Sequence, residues 1–400
     1  MPDWDSFEAF LAEVELEDDA KQRQDLVNVL LRQDIQWPWI NGNQVTFIYS
    51  KSGTQSAALN LDTIKDDPPF VPLTNLEGTT LWHVTRQFET DDLLDYLLAI
   101  DDPMTPLAQE KNLVERVSKH WQTDPLNDLQ LKTAQLNVSV LQMPKARPFP
   151  DWSAMPAVPR GTVHEHSIDS SHLEFEDRKV WIYTPPGYDS NREYPLLLLM
   201  DAVWANGPLQ VPYIADALIK HRRMQPILIA MMQSPTQDQR PAELISNDQH
   251  ALFVLTELLP FVRNHYRVNL LEVGVGGIGI GAVAAAHAVL SNAAAFSRLI
   301  MISPPLRGQG KGAGEATLDH YQTRFQTASL LPRRIFQSVG RYEIPGRFLR
   351  PARQLSEVLY RRSMTAYRYV EIGSGHGLVG FKSVLPEALA WTFPGEVKPT

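Results

Sequence analysis

Apolar residues recur at helical spacing between about residues 6 and 32. Phe7, Phe10, Leu11 and Val14 share one side, and Leu26, Val29 and Leu30 follow. This predicts an amphipathic helix, or a pair of them, docked on a domain. Trp37-Pro38-Trp39 ends the pattern. Short β-like runs then appear at residues 44–49, 57–61, 80–88 and 95–100, separated by turn residues such as Asn41-Gly42-Asn43 and Asp66-Asp67-Pro68-Pro69. Short strands at such spacing predict a small β-sandwich, with Trp37, Trp39 and Trp82 in its core. Residues 101–159 are rich in Pro and Asp and lack periodicity, so they read as a long connecting segment containing a domain boundary.

A different pattern begins near Gly161. Continuous apolar runs at residues 194–201, 226–232 and 299–303 have the character of strands buried on both faces. A shorter strand is expected at 180–184, and others at 334–339 and 366–371. Helical stretches at 211–222, 251–262, 348–361 and 381–392 alternate with them. Alternation of this kind predicts a mostly parallel, doubly wound α/β sheet. The chain therefore divides into residues 1–150, a helix plus β-sandwich with its linker, and residues 160–400, an α/β domain.

Composition narrows the function classes. The 400 residues are 44% hydrophobic and 21% charged, as in an ordinary globular protein large enough for two domains. A net charge of −9 argues against nucleic acid or an anionic membrane as the main partner. The absence of cysteine excludes disulfides, thiolate metal sites and a cysteine nucleophile, and suits a reducing compartment. Met1-Pro2-Asp3-Trp4-Asp5 is acidic and lacks the apolar core of an export signal, and no apolar run is long enough to span a bilayer. A cytoplasmic location is expected, with no metal and no cofactor.

The chemistry centres on Val273 to Leu290, where a β-like run turns on a cluster of glycines and becomes an Ala-rich helix. Two chemistries use this strand–turn–helix shape. Gly274, Gly276 and Gly279 have the spacing of the dinucleotide fingerprint, which lays a pyrophosphate on a helix N-terminus. Gly277-Ile278-Gly279-Ile280-Gly281 has the frame of the nucleophile elbow, G-x-S-x-G, except that Gly279 stands at the serine position. The dinucleotide reading requires an acidic residue roughly 20 residues on, at the end of the next strand. That strand ends Ile302-Ser303-Pro304-Pro305, and three strands precede the motif. The hydrolase reading requires an acid and then a histidine, in that order. Glu343 follows one strand in Gly340-Arg341-Tyr342-Glu343, and His376 follows the next in Gly373-Ser374-Gly375-His376-Gly377. Order and spacing favour the hydrolase scaffold.

Several segments, in order, resemble the enterochelin (enterobactin) esterase family. They are Tyr183-Thr184-Pro185-Pro186-Gly187-Tyr188, Tyr194 through Asp201 with Trp204 just after, Arg240-Pro241-Ala242-Glu243-Leu244, Leu258-Leu259-Pro260-Phe261-Val262, the Glu343 and His376 loops, and Asp124-Pro125-Leu126-Asn127 in a linker. The resemblance covers nearly the whole chain. It implies an N-terminal β-sandwich followed by an α/β-hydrolase domain of the esterase D type. It also implies metal-free hydrolysis of ferric catecholate siderophore esters by a Ser-His-acid triad in the cytoplasm. His376 would then be the base and Glu343 the acid. The oxyanion donors would be backbone N–H groups near Ala202 and of Ile280, with Trp204 and Arg240 facing the anionic substrate.

The departure falls at the nucleophile. Gly279 has no hydroxyl, and no serine, threonine or cysteine lies between Asn269 and Leu290. Acyl transfer through a covalent intermediate needs a nucleophilic atom activated by the base. Ala202 also replaces the family's glycine after Asp201. The leading expectation is an enterochelin-esterase-like protein without esterase chemistry, which binds a siderophore-type ester or a protein partner. A hydrolase in which His376 and Glu343 activate water directly is the alternative, and nucleotide binding at the glycine turn is the third reading.

Overall fold

The computed structural model describes residues 4–61, 63–64, 66–133, 136–202, 204–310 and 312–397. The chain forms two compact units, Met1–Arg147 with Gly373–Val379, and Pro148–Ile372 with Gly380–Thr400.

The first unit opens with α1 (Phe7–Glu15) and α2 (Ala20–Leu30), so the amphipathic stretch is two helices. Each is started by a side-chain cap: Ser6 Oγ accepts from the Ala9 N–H at 3.1 Å, and Asp19 Oδ1 from the Lys21 N–H at 3.0 Å. Their apolar faces bury Phe7, Phe10, Val14, Val27 and Leu30 against Trp37, Ile48 and Leu81. The strands are β1 (Trp39–Asn41), β2 (Gln44–Ser50), β3 (Ala57–Leu61), β4 (Phe70–Pro72), β5 (Thr74–Asn75), β6 (Leu81–Gln87), β7 (Leu93–Ile100), β8 (Trp121–Gln122), β9 (Gln130–Leu131) and β10 (Val138–Gln142). They make a 4-stranded sheet, β1-β2-β6-β5, and a 6-stranded sheet, β4-β3-β7-β10-β9 with β8 on β7. The sheets meet through Phe47 and Tyr96, whose ring centroids are 5.0 Å apart. Trp37 is buried in the core, whereas Trp39 and Trp82 are half-buried.

The stretch expected to be a connecting segment is instead largely part of this unit. It contains α3 (Leu113–His120) and the last three strands. Polar contacts rather than apolar alternation hold it. Asp124 accepts from Tyr96 Oη at 2.8 Å, and Asn127 Nδ2 donates to Tyr96 Oη at 3.0 Å and to the Val140 carbonyl at 2.9 Å. Arg116 grips buried Asp102 with Nε to Oδ2 at 3.0 Å and Nη2 to Oδ1 at 2.6 Å. Strands of two residues carry no readable period, which is why the segment looked aperiodic.

In the second unit the strands are β11 (Thr162–Ser170), β12 (Phe175–Thr184), β13 (Tyr194–Met200), β14 (Leu228–Met232), β15 (Val268–Ile278), β16 (Arg298–Ile302), β17 (Arg334–Gly340) and β18 (Ala366–Ile372). The helices are α4 (Val211–Lys220), α5 (Arg240–Leu244), α6 (Asp248–Phe253), α7 (Leu259–His265), α8 (Ile280–Ser291), α9 (Tyr321–Thr327), α10 (Arg350–Tyr360) and α11 (Leu378–Thr392). A π-helical turn, Val254–Leu258, joins α6 to α7, and another, Pro345–Leu349, precedes α10. The 8-stranded sheet runs β11-β12-β14-β13-β15-β16-β17-β18. β11, β12 and β14 pair antiparallel, and from β14 onward the neighbours are parallel. This is the mostly parallel α/β-hydrolase sheet, preceded by a β-rich domain. The hairpin strand β11 was not anticipated, because its outward positions are His, Glu and Ser rather than an apolar run.

The turn from β15 to α8 is set by close approach. A Cβ on Gly277 would lie 2.2 Å from the Gly281 carbonyl carbon, and one on Gly281 would lie 2.7 Å from Asp201 Cβ. Only glycine fits at either position. Ala-rich α8 is buried from Gly281 to Val289, and its small side chains let it lie directly against the sheet. The one strongly polar side chain in that stretch, His287, is held at both nitrogens. Arg324 Nη1 donates to Nδ1 at 2.9 Å, and Nε2 donates to Asp248 Oδ1 at 2.8 Å.

Two predictions follow from this packing. Gly277→Ala should lower the urea midpoint by the equivalent of about 3 kcal/mol or more, because the added methyl meets backbone. Gly346→Ala has nothing within 4 Å of its added carbon and should change stability by less than about 0.5 kcal/mol. The second prediction concerns acid. Burial, then the charges of Arg178 and His287, push the His250 pKa down to about 3 from 6.5. The neutral ring is the one that fits the fold, so its contribution is complete above pH 6.5. It is lost as pH falls from there toward 3, at about 1.4 kcal/mol per pH unit. Urea unfolding of the His250→Gln variant should show a shallower acid slope between pH 6.5 and 4 than the parent chain.

Candidate active site

The site is built at the carboxyl ends of three adjacent parallel strands, the place where α/β sheets carry their chemistry. β15, β16 and β17 are in register, with Ile278 opposite Ile302 and Ile302 opposite Ser338. The residues just past those ends are Gly279, Ser303 and, three positions after Gly340, Glu343.

Gly279 occupies the apex of the turn with φ 58° and ψ −125°. Side chains rarely adopt this backbone conformation, and a nucleophile elbow imposes it on its serine. The Gly279 N–H donates to the Ile302 carbonyl at 2.9 Å, tying the apex to the neighbouring strand. Ile280 begins α8, and its N–H belongs to the first helical turn, where no intrahelical acceptor exists. Its half-buried side chain packs on the main core. The turn therefore has the strand–turn–helix shape of an elbow, with glycine at its apex. The glycines of the alternative fingerprint do other work. Gly274 and Gly276 lie inside β15, and a Cβ on them would come within 2.9 Å of Phe393 and Ile300 respectively. They are strand-packing glycines rather than a phosphate-binding loop.

Glu343 is 2% exposed. Its Oε1 accepts from Ser303 Oγ at 2.6 Å and from the Gly340 N–H at 2.6 Å. These two donors fix the carboxylate in place. Ser303 has φ 50°, and its N–H donates to the Ser338 carbonyl at 2.9 Å. Sequence reasoning assigned Ser303 only to the strand before it. No sequence signal marked it, since its place beside the turn depends on the pairing of Ile302 with Ile278.

Arg240 is placed otherwise than expected. Its guanidinium is committed to Asp201, with Nε donating to Oδ1 at 3.0 Å and Nη2 to Oδ2, and it lies over the Trp204 ring at 5.7 Å. Asp201 itself is buried, with φ 55°. A cation neutralised in this way braces the turn after β13 and has little charge left for an anion. Ala202 also differs from expectation, since its N–H donates to the Met232 carbonyl at 3.0 Å and is not available to an oxyanion. The adjacent Val203 lies outside the described residues.

His376 is exposed and lies in Gly373–Val379, the segment that groups with the first unit. That segment is anchored there. The Leu93 N–H donates to the Gly373 carbonyl at 2.7 Å, and a Cβ on Gly377 would come within 2.9 Å of Asp95 Oδ1. In the chain, His376 follows Ile372 by four residues and Glu343 follows Gly340 by three, and Gly340 and Ile372 are paired across β17 and β18. Among the described residues no group of three or more His, Asp or Glu side chains is arranged to hold a metal, and no helix is long and apolar enough to cross a membrane.

Comparison with known proteins agrees with this fold. Residues 170–392 match the family model described as putative esterase, and residues 44–152 match that of the enterochelin esterase N-terminal domain. The iron(III) enterobactin esterase of Dickeya dadantii (strain 3937) is 25% identical over 352 residues, covering 81% of this chain and 79% of that protein. Two crystal structures share the fold. One is the enterobactin esterase of Shigella flexneri in the presence of enterobactin, 23% identical with a TM-score of 0.69. The other is the ferric enterobactin esterase of Salmonella typhimurium, 20% identical with a TM-score of 0.70. Each comparison covers 87% of this chain and 92% of the other. With more than half of its length matched by the esterase model, this chain belongs to the putative esterase family and carries the N-terminal domain of the enterochelin esterases.

Proposed function

We propose that this protein is a cytoplasmic, siderophore-binding member of the esterase family that has given up acyl transfer. Its ligand is a ferric catecholate ester of the enterobactin type, or a fragment of one, held without hydrolysis. The observation that carries this reading is Gly279 at the apex of the turn, in a nucleophile's backbone conformation and without a nucleophile's oxygen. In well-studied hydrolases, removing the triad serine leaves only roughly 10³–10⁴-fold acceleration over water. That is too little for a dedicated esterase. The siderophore enters through the relatives, whose names identify them as enterobactin esterases.

A second reading is supported by the care with which Glu343 is held. A buried acid with two short hydrogen bonds is what a working base requires behind it. In that reading the protein remains an esterase for ferric catecholate siderophores. His376 is the base, which takes a proton from water as that water attacks the ester carbonyl and returns it to the leaving alkoxide, and Glu343 is the acid.

Steady-state hydrolysis of ferric enterobactin and of a p-nitrophenyl ester separates the two. We expect the parent chain to bind ferric enterobactin, seen as tryptophan quenching, with turnover at background. Gly279→Ser should raise kcat by at least about 100-fold, and adding His376→Ala should remove the gain. Turnover by the parent chain at about 1 s⁻¹ or more, abolished by His376→Ala, would establish the second reading. In the Gly279→Ser background, Ser303→Ala should lower kcat by roughly tenfold with KM little changed, because it loosens the acid and not the ligand contacts.

A further inference from the structure

Lys382 lies in α11 and is 5% exposed. Its ammonium stands over the Phe149 ring, 4.8 Å from the centroid. Among the described residues it makes no hydrogen bond and no ion pair. The carboxylate whose charge reaches it is Asp151, which also holds other partners. Its Oδ1 accepts from the Ser153 N–H at 3.0 Å, Ser153 Oγ at 2.6 Å and Gln210 Nε2 at 2.7 Å.

Other sheltered cations of this unit are satisfied. Arg178 pairs with Glu243, Arg240 with Asp201, Arg298 with Glu272 and Arg347 with Glu315. Arg334, which forms no ion pair either, donates to the Trp391 carbonyl at 3.1 Å. Lys382 has an aromatic face alone. A ring offers an ammonium partial compensation, and a sheltered ammonium without a direct ion pair is unfavourable unless the charge is put to use. Burial accordingly pushes the Lys382 pKa below the usual lysine range, opposed in part by Asp151.

The surroundings fit a binding role. α11 follows β18, and Gln210, which holds Asp151, precedes α4 in the loop after β13. Both are connections leaving carboxyl ends of the parallel strands, where such sheets take ligands. We propose that Lys382 receives an anionic oxygen, a carboxylate or phenolate, of a small aromatic acid, with Phe149 beside it. Identifying the acid as a catecholate rests on the proposed function, and the anion site itself does not.

The test uses the full chain with labelled lysine side chains. NMR follows the Lys382 signal, and calorimetry measures affinity for 2,3-dihydroxybenzoate, benzoate and inorganic phosphate, with benzamide as the uncharged control. The expected result is that at least one aromatic acid moves the Lys382 signal and benzamide does not. Lys382→Met should weaken that binding by about tenfold or more, and Lys382→Arg should retain most of it. The Met variant should melt no lower than the parent, since it removes an unpaired sheltered charge. Binding of benzoate at Lys382 without binding of 2,3-dihydroxybenzoate keeps the anion site and removes the catecholate. A Lys382 signal unmoved by saturating concentrations of every anion overturns the proposal, as does a Met variant that binds like the parent. If the Met variant fails to fold, the signal in the parent chain decides.

Discussion

Between β15 and α8 the chain turns so tightly that the Gly277 and Gly281 backbones leave no room for a methyl group, and the residue between them must take a left-handed conformation. The rest of the second unit is arranged around that requirement. α8 can lie against the sheet because its buried residues are mostly alanine, and β16 is fixed to the apex through the Gly279 N–H. In an elbow carrying serine, such strain costs about 1–3 kcal/mol and is tolerated because it presents the hydroxyl. Here glycine occupies the apex, so the turn is kept while the strain and the hydroxyl are both absent.

Electrostatics around the turn repeat the theme of structure retained. The acid is held by a buried hydroxyl and a backbone N–H, and Arg240 is paired with Asp201 rather than left as a free cation. In both cases sheltered charge is matched by well-placed donors, as it must be where water is scarce. Lys382 departs from this pattern, since its sheltered ammonium has an aromatic ring and no ion pair among the described residues, and that is why it draws a functional reading.

Legibility in the sequence followed the length of the local signal. β13, seven residues and all buried, and the Ala-rich helix after a glycine cluster were plain, because each carries its own period and its own punctuation. Glu343 could be found by its order in the chain. Ser303 could not, since a serine at a strand end is common and only register across β15 and β16 shows what it faces. Asp124 and Asn127 were hidden likewise. They hold β7 and β10 together through Tyr96, a contact spanning some thirty residues that leaves no pattern in the residues between.

What the sequence determined by itself was the kind of element at most places, the order of Glu343 and His376 along the chain, and glycine at position 279. These are local: backbone preference, side-chain volume and chain order are properties of residues and their neighbours. What only the tertiary structure decided was how polar groups are matched, namely Arg240 to Asp201, the Ala202 N–H to Met232, Ser303 to Glu343, and Lys382 to an aromatic ring alone. Charges and hydrogen-bond donors take their roles from whatever the fold brings within about 3 Å, and in a sheet whose spatial order is not its chain order that information is absent from any single stretch of sequence.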